Sequence, residues 1–337
     1  MTMEKTSFSE LKTVRRCKRA HRYRYHDRLR RRRPNRPALI GTILHEMLDA
    51  RVKRQLGNKE TGPKAIFKKY KKFWEKLFTG EKEEFGDVPA VVQAVYDGYL
   101  RRWRRDGMIY IASEVQIEVQ LTKKIVFQGI IDKVLEDADG RRFLMDHKFH
   151  KVIPGPDHRF SDIQTVLYFW AWNETHSKAE QVDGIIWDYG RMKAPAIPEV
   201  LKNGELTRRA NIDTDQFTYR AAIEEHGLSH KPYREILKSL EGKERTFFER
   251  VTLPAPPRVV VREVVQDAKD SAIEAKRALR TGVAPRSQSG FNCNGCEFRT
   301  LCEAELRGFD TKSLRKREYE NRDEEKESKY GEIEEAA

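Results

Sequence analysis

Alternation dominates the middle of the chain. From Ala112 to Leu121 apolar residues fall at every second position (Val115, Ile117, Val119), the period of a half-exposed strand. Ile125–Glu136 and Arg142–Phe149 read as two more strands. The Asp137-Ala-Asp-Gly140 link between them carries the Asp-Gly pair that favours a tight hairpin. A shorter strand is expected over Val182–Tyr189. Helical spacing flanks this block. Leu11, Val14 and Cys17 recur at intervals of three and predict a helix over residues 7–30, broken by Pro34 and Pro37. Gly41 to Leu56 reads as a second helix, apolar at Ile43, Leu44, Met47 and Leu48, with His45 beside that face. Further helices are expected over 64–107, from Ser161 to Glu174 after Pro154 and Pro156, and over 212–240 and 260–281, the last two separated by the break at Pro254–Pro257.

The pattern predicts one α/β domain with helical insertions and no internal repeat. We divide it into a basic helical segment (1–40), a core (41–200) with a helical insertion at 57–108, a helical region (201–285), a cysteine segment (286–310) and a charged tail (311–337). The tail alternates signs and reads as a solvated helix or a disordered end.

Composition sharpens this picture. The 337 residues, 38% hydrophobic and 35% charged, suffice for a large core, and the net charge of +13 favours a polyanionic partner. The basic excess is concentrated in residues 12–36, which include Arg28 and the Arg30–Arg33 run, and in Arg101-Arg-Trp-Arg-Arg105. With Tyr23, Tyr25 and Trp103 interleaved, these runs suit a phosphate backbone with bases stacking nearby; they also read as solvated helix faces. No apolar stretch approaches the roughly 18 residues that a membrane helix needs, and Met1-Thr-Met-Glu-Lys5 has no signal-peptide pattern. A cytoplasmic protein is expected.

Candidate chemistry lies in the hairpin. Its strands carry Gln128-Gly-Ile-Ile-Asp132 and Phe143-Leu-Met-Asp146-His-Lys148. A turn at 138–140 brings Asp132 opposite positions 145–147, while Asp146 and Lys148, two apart, share a strand face. Two adjacent carboxylates repel unless a cation neutralises them, and hard oxygen ligands select Mg²⁺ or Mn²⁺. Such an ion polarises a phosphodiester and binds the attacking water, which a neighbouring lysine orients or helps deprotonate. A plain surface Asp–Lys pair is the alternative. Gln164 and Tyr168, four apart, fall on one helical face.

Cysteine is used sparingly and unevenly: Cys17 stands near one end, and Cys293, Cys296 and Cys302 near the other. In a reducing compartment four such thiols point to metal before disulfides, either Zn²⁺ or an iron–sulfur cluster. Either would fasten the two ends together.

The order His45, Gly129-x-x-Asp132, Asp146-x-Lys148, Gln164-x-x-x-Tyr168 resembles the RecB-like branch of the PD-(D/E)XK nuclease superfamily. With Cys17 and the Cys293-x-x-Cys296-x5-Cys302 segment, it is similar to that branch's iron–sulfur exonucleases, which include CRISPR-associated nucleases, phage-borne relatives and the AddB nuclease domain. The resemblance covers residues 7–306. It implies a restriction-endonuclease-like α/β core, a central mixed sheet flanked by helices, with an iron–sulfur module joining the N- and C-terminal segments. It implies His45, Asp132, Asp146 and the backbone carbonyl of His147 as ligands of Mg²⁺ or Mn²⁺, Lys148 serving the attacking water, and Gln164 and Tyr168 positioning Lys148 and the DNA. Glu114 would support a metal-bound water, and Cys17, Cys293, Cys296 and Cys302 would hold a [4Fe–4S] cluster.

The implied activity is a DNA exonuclease on single strands or ends, running 5′→3′ with weak sequence preference, in recombination, repair or phage DNA processing. A catalytically silent iron–sulfur or zinc DNA-binding protein, and a spacer-processing or flap endonuclease, are the rivals. Two positions depart from the family's habit: Asp146 stands where Glu is common, and Lys18-Arg19 rather than Pro-Arg follows Cys17. His21, His26, His150, His158 and His176 receive no site role.

Overall fold

The computed structural model describes residues 3–32, 35–58, 61–77, 79–155, 163–209, 211–241 and 247–322. Arg33, Pro34, Pro156, His158, Ser161 and the charged tail from residue 323 onward lie outside the described residues. In chain order the elements are β1 Glu4–Ser7, α1 Phe8–Arg16, α2 Lys18–His21, β2 Leu29–Arg31, α3 Arg36–Gln55, α4 Pro63–Glu75, α5 Thr79–Phe85 and α6 Val88–Arg102. There follow β3 Ile109–Gln120, β4 Ile125–Glu136, β5 Arg142–His150, α7 Ile163–Thr175, β6 Gly184–Arg191, α8 Gln216–Glu225, α9 Arg234–Ser239 and β7 Phe248–Pro254. The chain closes with α10 Arg258–Thr281, α11 Gly290–Cys293, α12 Arg299–Leu306, α13 Lys312–Glu318 and β8 Tyr319–Asn321.

Six strands form a mixed sheet in the order β1-β4-β5-β6-β7, with β3 on the other edge of β4. The sheet forks at its centre. One edge of β4 pairs first with β1 (Ile125–Gln128, parallel) and then with β5 (Lys133–Glu136, antiparallel), so residues 129–132 lie in the gap between two partners. Beyond the fork β5 continues from Asp146 to His150 against β6 alone. Helices cover both faces. Leu167, Ala171 and Trp172 of α7, with Val264, Ala268 and Ala272 of α10, pack on Phe127, Leu144, Ile185 and Trp187. On the opposite face Ile43, Leu44 and Met47 of α3 meet Val92, Val95 and Tyr99 of α6 and Phe248 of β7. β6, buried on both faces, accordingly reads as the near-continuous apolar run Gly-Ile-Ile-Trp-Asp-Tyr-Gly. Each fully buried Leu or Ile in these layers contributes about 1.5–3 kcal/mol.

Several expectations are corrected. The helix expected over 7–30 is broken at Cys17, which is extended (φ −165°, ψ 118°), because Arg16 turns its guanidinium onto the Asn292 carbonyl at 2.9 Å and ties the chain to the cysteine segment. Pro37 does not break a helix. It lies in the first turn of α3, where no N–H is needed, behind Asn35, whose side chain accepts from the Ala38 N–H. The helical reading of 212–240 resolves into α8, a 3₁₀ turn at Lys231–Tyr233, and α9. Strands β1 and β7 place parts of segments 1–40 and 201–285 inside the sheet itself.

Candidate active site

The fork gathers the hairpin's chemistry. Lys133 faces Met145, so Asp132 and Asp146 stand next to each other where β4 and β5 part. The His147 N–H donates to Asp132 Oδ2 at 2.8 Å and spans the gap. Lys148 pairs with Asp146 Oδ2 at 2.5 Å, both side chains about one-sixth exposed. From one face of the sheet α3 brings His45, its Nδ1 3.4 Å from Asp132 Oδ2. From the other face α7 brings Tyr168, whose hydroxyl makes hydrogen bonds with the Gln164 side chain and the Ile130 backbone. A Cβ at Gly129 would lie 2.6 Å from Tyr168 Cε1, so this glycine is what lets the ring reach the fork.

An open cleft of about 750 Å³ leads to this point, lined by Thr42, His45 and Asp49 of α3 and by Glu114, Ile130 and Asp132 of the sheet. Burial first, and Asp146 second, raise the Asp132 carboxyl to about 7. Burial lowers the His45 imidazole below its ordinary value, leaving the neutral form that ligates metals. Two carboxylates that resist ionising together set the demand that a hard divalent cation meets. Asp132, Asp146, His45 and the His147 carbonyl are the groups suited to hold it. Among the described residues no three His, Cys, Asp or Glu side chains are gathered closely enough to hold one ion as placed.

Glu114 sits opposite Asp132 in the β3–β4 ladder with φ 51°, a left-handed conformation that costs a non-glycine residue about 1–2 kcal/mol. Burial, then Asp132, raises its pKa.

The PD-(D/E)XK nuclease superfamily profile matches residues 5–303. The chain belongs to that superfamily. No curated protein matches this nuclease in sequence. Among solved structures, that of SSO0001 is similar over 79% of this chain and 97% of its own, at 11% identity and a TM-score of 0.32, a likeness too distant to argue from.

Behind the fork the nuclease carries a buried polar network that its sequence did not announce. His147 Nδ1 lies 2.8 Å from Asp188 Oδ2. Asp188 also accepts from the Tyr99 hydroxyl and, at 3.1 Å, from Arg250 Nε, while Arg250 reaches Asp106 at 2.7 Å. Burial opposes the Asp188 charge, but Arg250 and His147 outweigh it and hold the carboxyl at about 2. Burial lowers His147 to about 4, so its ring is neutral at pH 7. A second unannounced group lies on the near side, where Lys133, Ser113 and Asp49 adjoin Glu114. Signals existed for two of them: Asp49 falls one helical turn after His45, and Lys133 occupies the buried parity of β4 between Ile131 and Leu135.

The cysteines also come together. Cys17, Cys293, Cys296 and Cys302 line one cavity of about 80 Å³. Around it Ala20, Tyr23, Phe298, Leu301 and Tyr319 form a separate apolar cluster, and Arg286 Nε donates to Cys302 Sγ at 3.3 Å.

Part of the basic run around Tyr23 is tied into this module. Arg24 pairs with Glu297, Arg31 donates to the Glu297 carbonyl, and Arg315 bridges Asp27 and Glu305. Tyr23 is 1% exposed and bonded to Glu305; Trp103 is packed between Arg102 and Arg250. The expected stacking of bases on Tyr23 is therefore corrected, because its ring is buried; Trp103 is only half-buried. No helix among the described residues is long and apolar enough to cross a membrane.

Proposed function

We propose that this nuclease is a RecB-like, divalent-metal-dependent DNA exonuclease that acts on single strands or DNA ends, in recombination, repair or phage DNA processing. The observation that carries the reading is the convergence of Asp132, Asp146 and Lys148 at the fork of the sheet, where the open cleft ends. Asp132 and Asp146, with His45 and the His147 carbonyl, hold Mg²⁺ or Mn²⁺. When bound, the ion supplies positive charge at the phosphate and a water of lowered pKa. Lys148, held at 2.5 Å by Asp146, stands where it orients the attacking water and offsets charge on the phosphorane-like transition state. Gln164 and Tyr168 brace the fork from the opposite face, and His147, kept neutral and pinned to Asp188, holds the backbone between Asp146 and Lys148 in place.

The iron–sulfur assignment rests on the cysteine pattern and on the cavity. Zinc at about 2.3 Å from each sulfur would draw four thiolates around a single point. The four cysteines line one cavity, and the three-plus-one spacing with the family resemblance favours a [4Fe–4S] group there over zinc. The 5′→3′ polarity and the preference for single strands or ends rest on the family resemblance.

Labelled single-stranded DNA with Mn²⁺, treated with wild type, Asp146→Ala and Lys148→Ala, tests the reading. Only wild type is expected to degrade it; equal degradation by all three would sink the catalytic role of the fork, and binding without degradation by any of them would make the protein a DNA-binding module. Cleavage of covalently closed single-stranded circles would move the assignment to an endonuclease.

A further inference from the structure

Single apolar side chains scattered over a surface need no explanation, but Ile130 is not on the outside of the molecule. It lies within β4, in a sheet whose faces helices cover elsewhere, and is nevertheless 48% exposed. The cleft is the reason. Ile130 falls in the gap between β1 and β5 and lines the same opening as His45 and Asp132. Two apart on one strand, Ile130 and Asp132 project to the same face. From the opposite face the Tyr168 hydroxyl hydrogen-bonds the Ile130 backbone and fixes the strand there. On β5 apolar and reactive residues adjoin again: Phe149 directly follows Lys148 and lines the cleft, as does Met192. The Phe149 ring stands edge-on to His45, with centroids 5.8 Å apart, and covers Gly190, where a Cβ would lie 2.6 Å from Phe149 Cε1.

We propose that Ile130, with Phe149 and Met192, forms an apolar ledge on which the base adjoining the scissile phosphate rests, and that this ledge selects an unpaired nucleotide. The inference rests on the nuclease reading above and deepens it. A scissile phosphate at the Asp132–Asp146 pair places an adjoining base against the wall where Ile130 stands. Every base offers a flat apolar face whatever its hydrogen-bonding edge, so the ledge is indifferent to sequence. In a duplex that face is stacked against its neighbours and the base must first be drawn out, at a cost that a single strand largely escapes. The cleft of about 750 Å³ falls within the roughly 300–1,000 Å³ of small-ligand sites and suits a nucleotide.

The test removes the base, then the ledge. Full-length wild type, Ile130→Val and Ile130→Thr, each checked by a thermal melt, are given Mn²⁺ and a single DNA strand labelled in turn at each end. One internal nucleotide of the strand is a tetrahydrofuran, which has no base. Valine and threonine share a shape, so the difference between the two variants isolates apolarity. Wild type and Ile130→Val are expected to pause at the abasic position, by about tenfold relative to its neighbours, the order of loss that one unstacked base brings. Ile130→Thr is expected to cleave normal positions more slowly and to lose the pause. Metal-free binding of a short single strand with and without its bases, read by fluorescence anisotropy, should lose its discrimination in Ile130→Thr alone. Wild type that passes the abasic position without delay, or Ile130→Thr that pauses or discriminates as wild type does, overturns the ledge and leaves the nuclease reading standing. Wild type that degrades no strand overturns both. An Ile130→Thr that does not fold also overturns the proposal, since it would make Ile130 a support of the sheet.

Discussion

Gly129→Ala isolates one contact of the fork. Gly129 does not have a positive φ, so alanine suits its backbone, and the added methyl acts only by touching something. It would lie 2.6 Å from Tyr168 Cε1 and 3.1 Å from Cζ, whereas carbon atoms rest at about 3.5–4.0 Å. The tyrosine ring must therefore retreat by about 1 Å. Overpacking of this kind costs about 1–3 kcal/mol, which for a chain of this size lowers Tm by a few degrees. A 1 Å misplacement next to reacting groups costs on the order of 10²-fold in rate. We expect kcat/KM on single-stranded DNA to fall by about that factor while Mn²⁺ affinity holds, because Asp132 and Asp146 are untouched. A double-mutant cycle settles the cause: in a Tyr168→Ala background Gly129→Ala should be neutral or stabilise by about 0.4–1 kcal/mol. Wild-type turnover by Gly129→Ala, or an equal penalty in both backgrounds, would refute the reasoning.

Three further outcomes are expected. The Asp132 carboxyl is raised from 3.8 to about 7, so the native state keeps a proton that the unfolded chain releases. Without divalent ion, stability then falls as pH rises from about 4 to about 7, and metal-free Asp132→Asn should melt higher than wild type at pH 8, by up to a few kcal/mol, and equally at pH 4; parallel curves at all pH values would contradict this. Arg250→Met leaves Asp188 buried without its guanidinium and should cost about 3–5 kcal/mol in urea unfolding. Because Asp188 is held at about 2, below its ordinary 3.8, the stability it confers is present above pH 4 and is lost as pH falls through about 2. The Arg250→Met variant should therefore unfold in acid at a higher pH, and an unmoved acid midpoint would count against the network. Under the iron–sulfur proposal, Cys302→Ser should lose visible absorbance and Tm together, whereas Asp146→Ala should lose cleavage and keep its colour; an anaerobic preparation that is colourless and contains stoichiometric zinc would remove the cluster.

The hairpin was legible because its signals are local. The alternation in Ile125–Glu136 marks β4, and Gly140, at φ 76°, supplies the turn that its Asp-Gly pair announces. Asp132, Asp146 and Lys148 were legible for the same reason, since one turn and a period of two bring them together. β1 was not, for Glu-Lys-Thr-Ser offers no apolar alternation. Its place is set by the free edge of β4 and by Thr6, which is buried and bonded to Glu10. The regular spacing that suggested one helix over 7–30 could not show that Arg16 would be pulled toward Asn292, far along the chain. Asp188 read as a strand residue and Arg250 fell in no expected element, and only the packing of β6, β7 and α6 gives them one another.

The pairing of Arg30 with Glu320 in the small β2–β8 ladder dictates an order of events during synthesis. Tyr23, near the start of the chain, finds its apolar neighbours Phe298, Leu301 and Tyr319 only when nearly all the described residues have left the ribosome. The sheet can assemble once β7 has emerged, but the cysteine cavity cannot. Whatever that cavity holds gains its full set of thiols only after Cys302 has emerged, by which time every strand of the six-stranded sheet is already available.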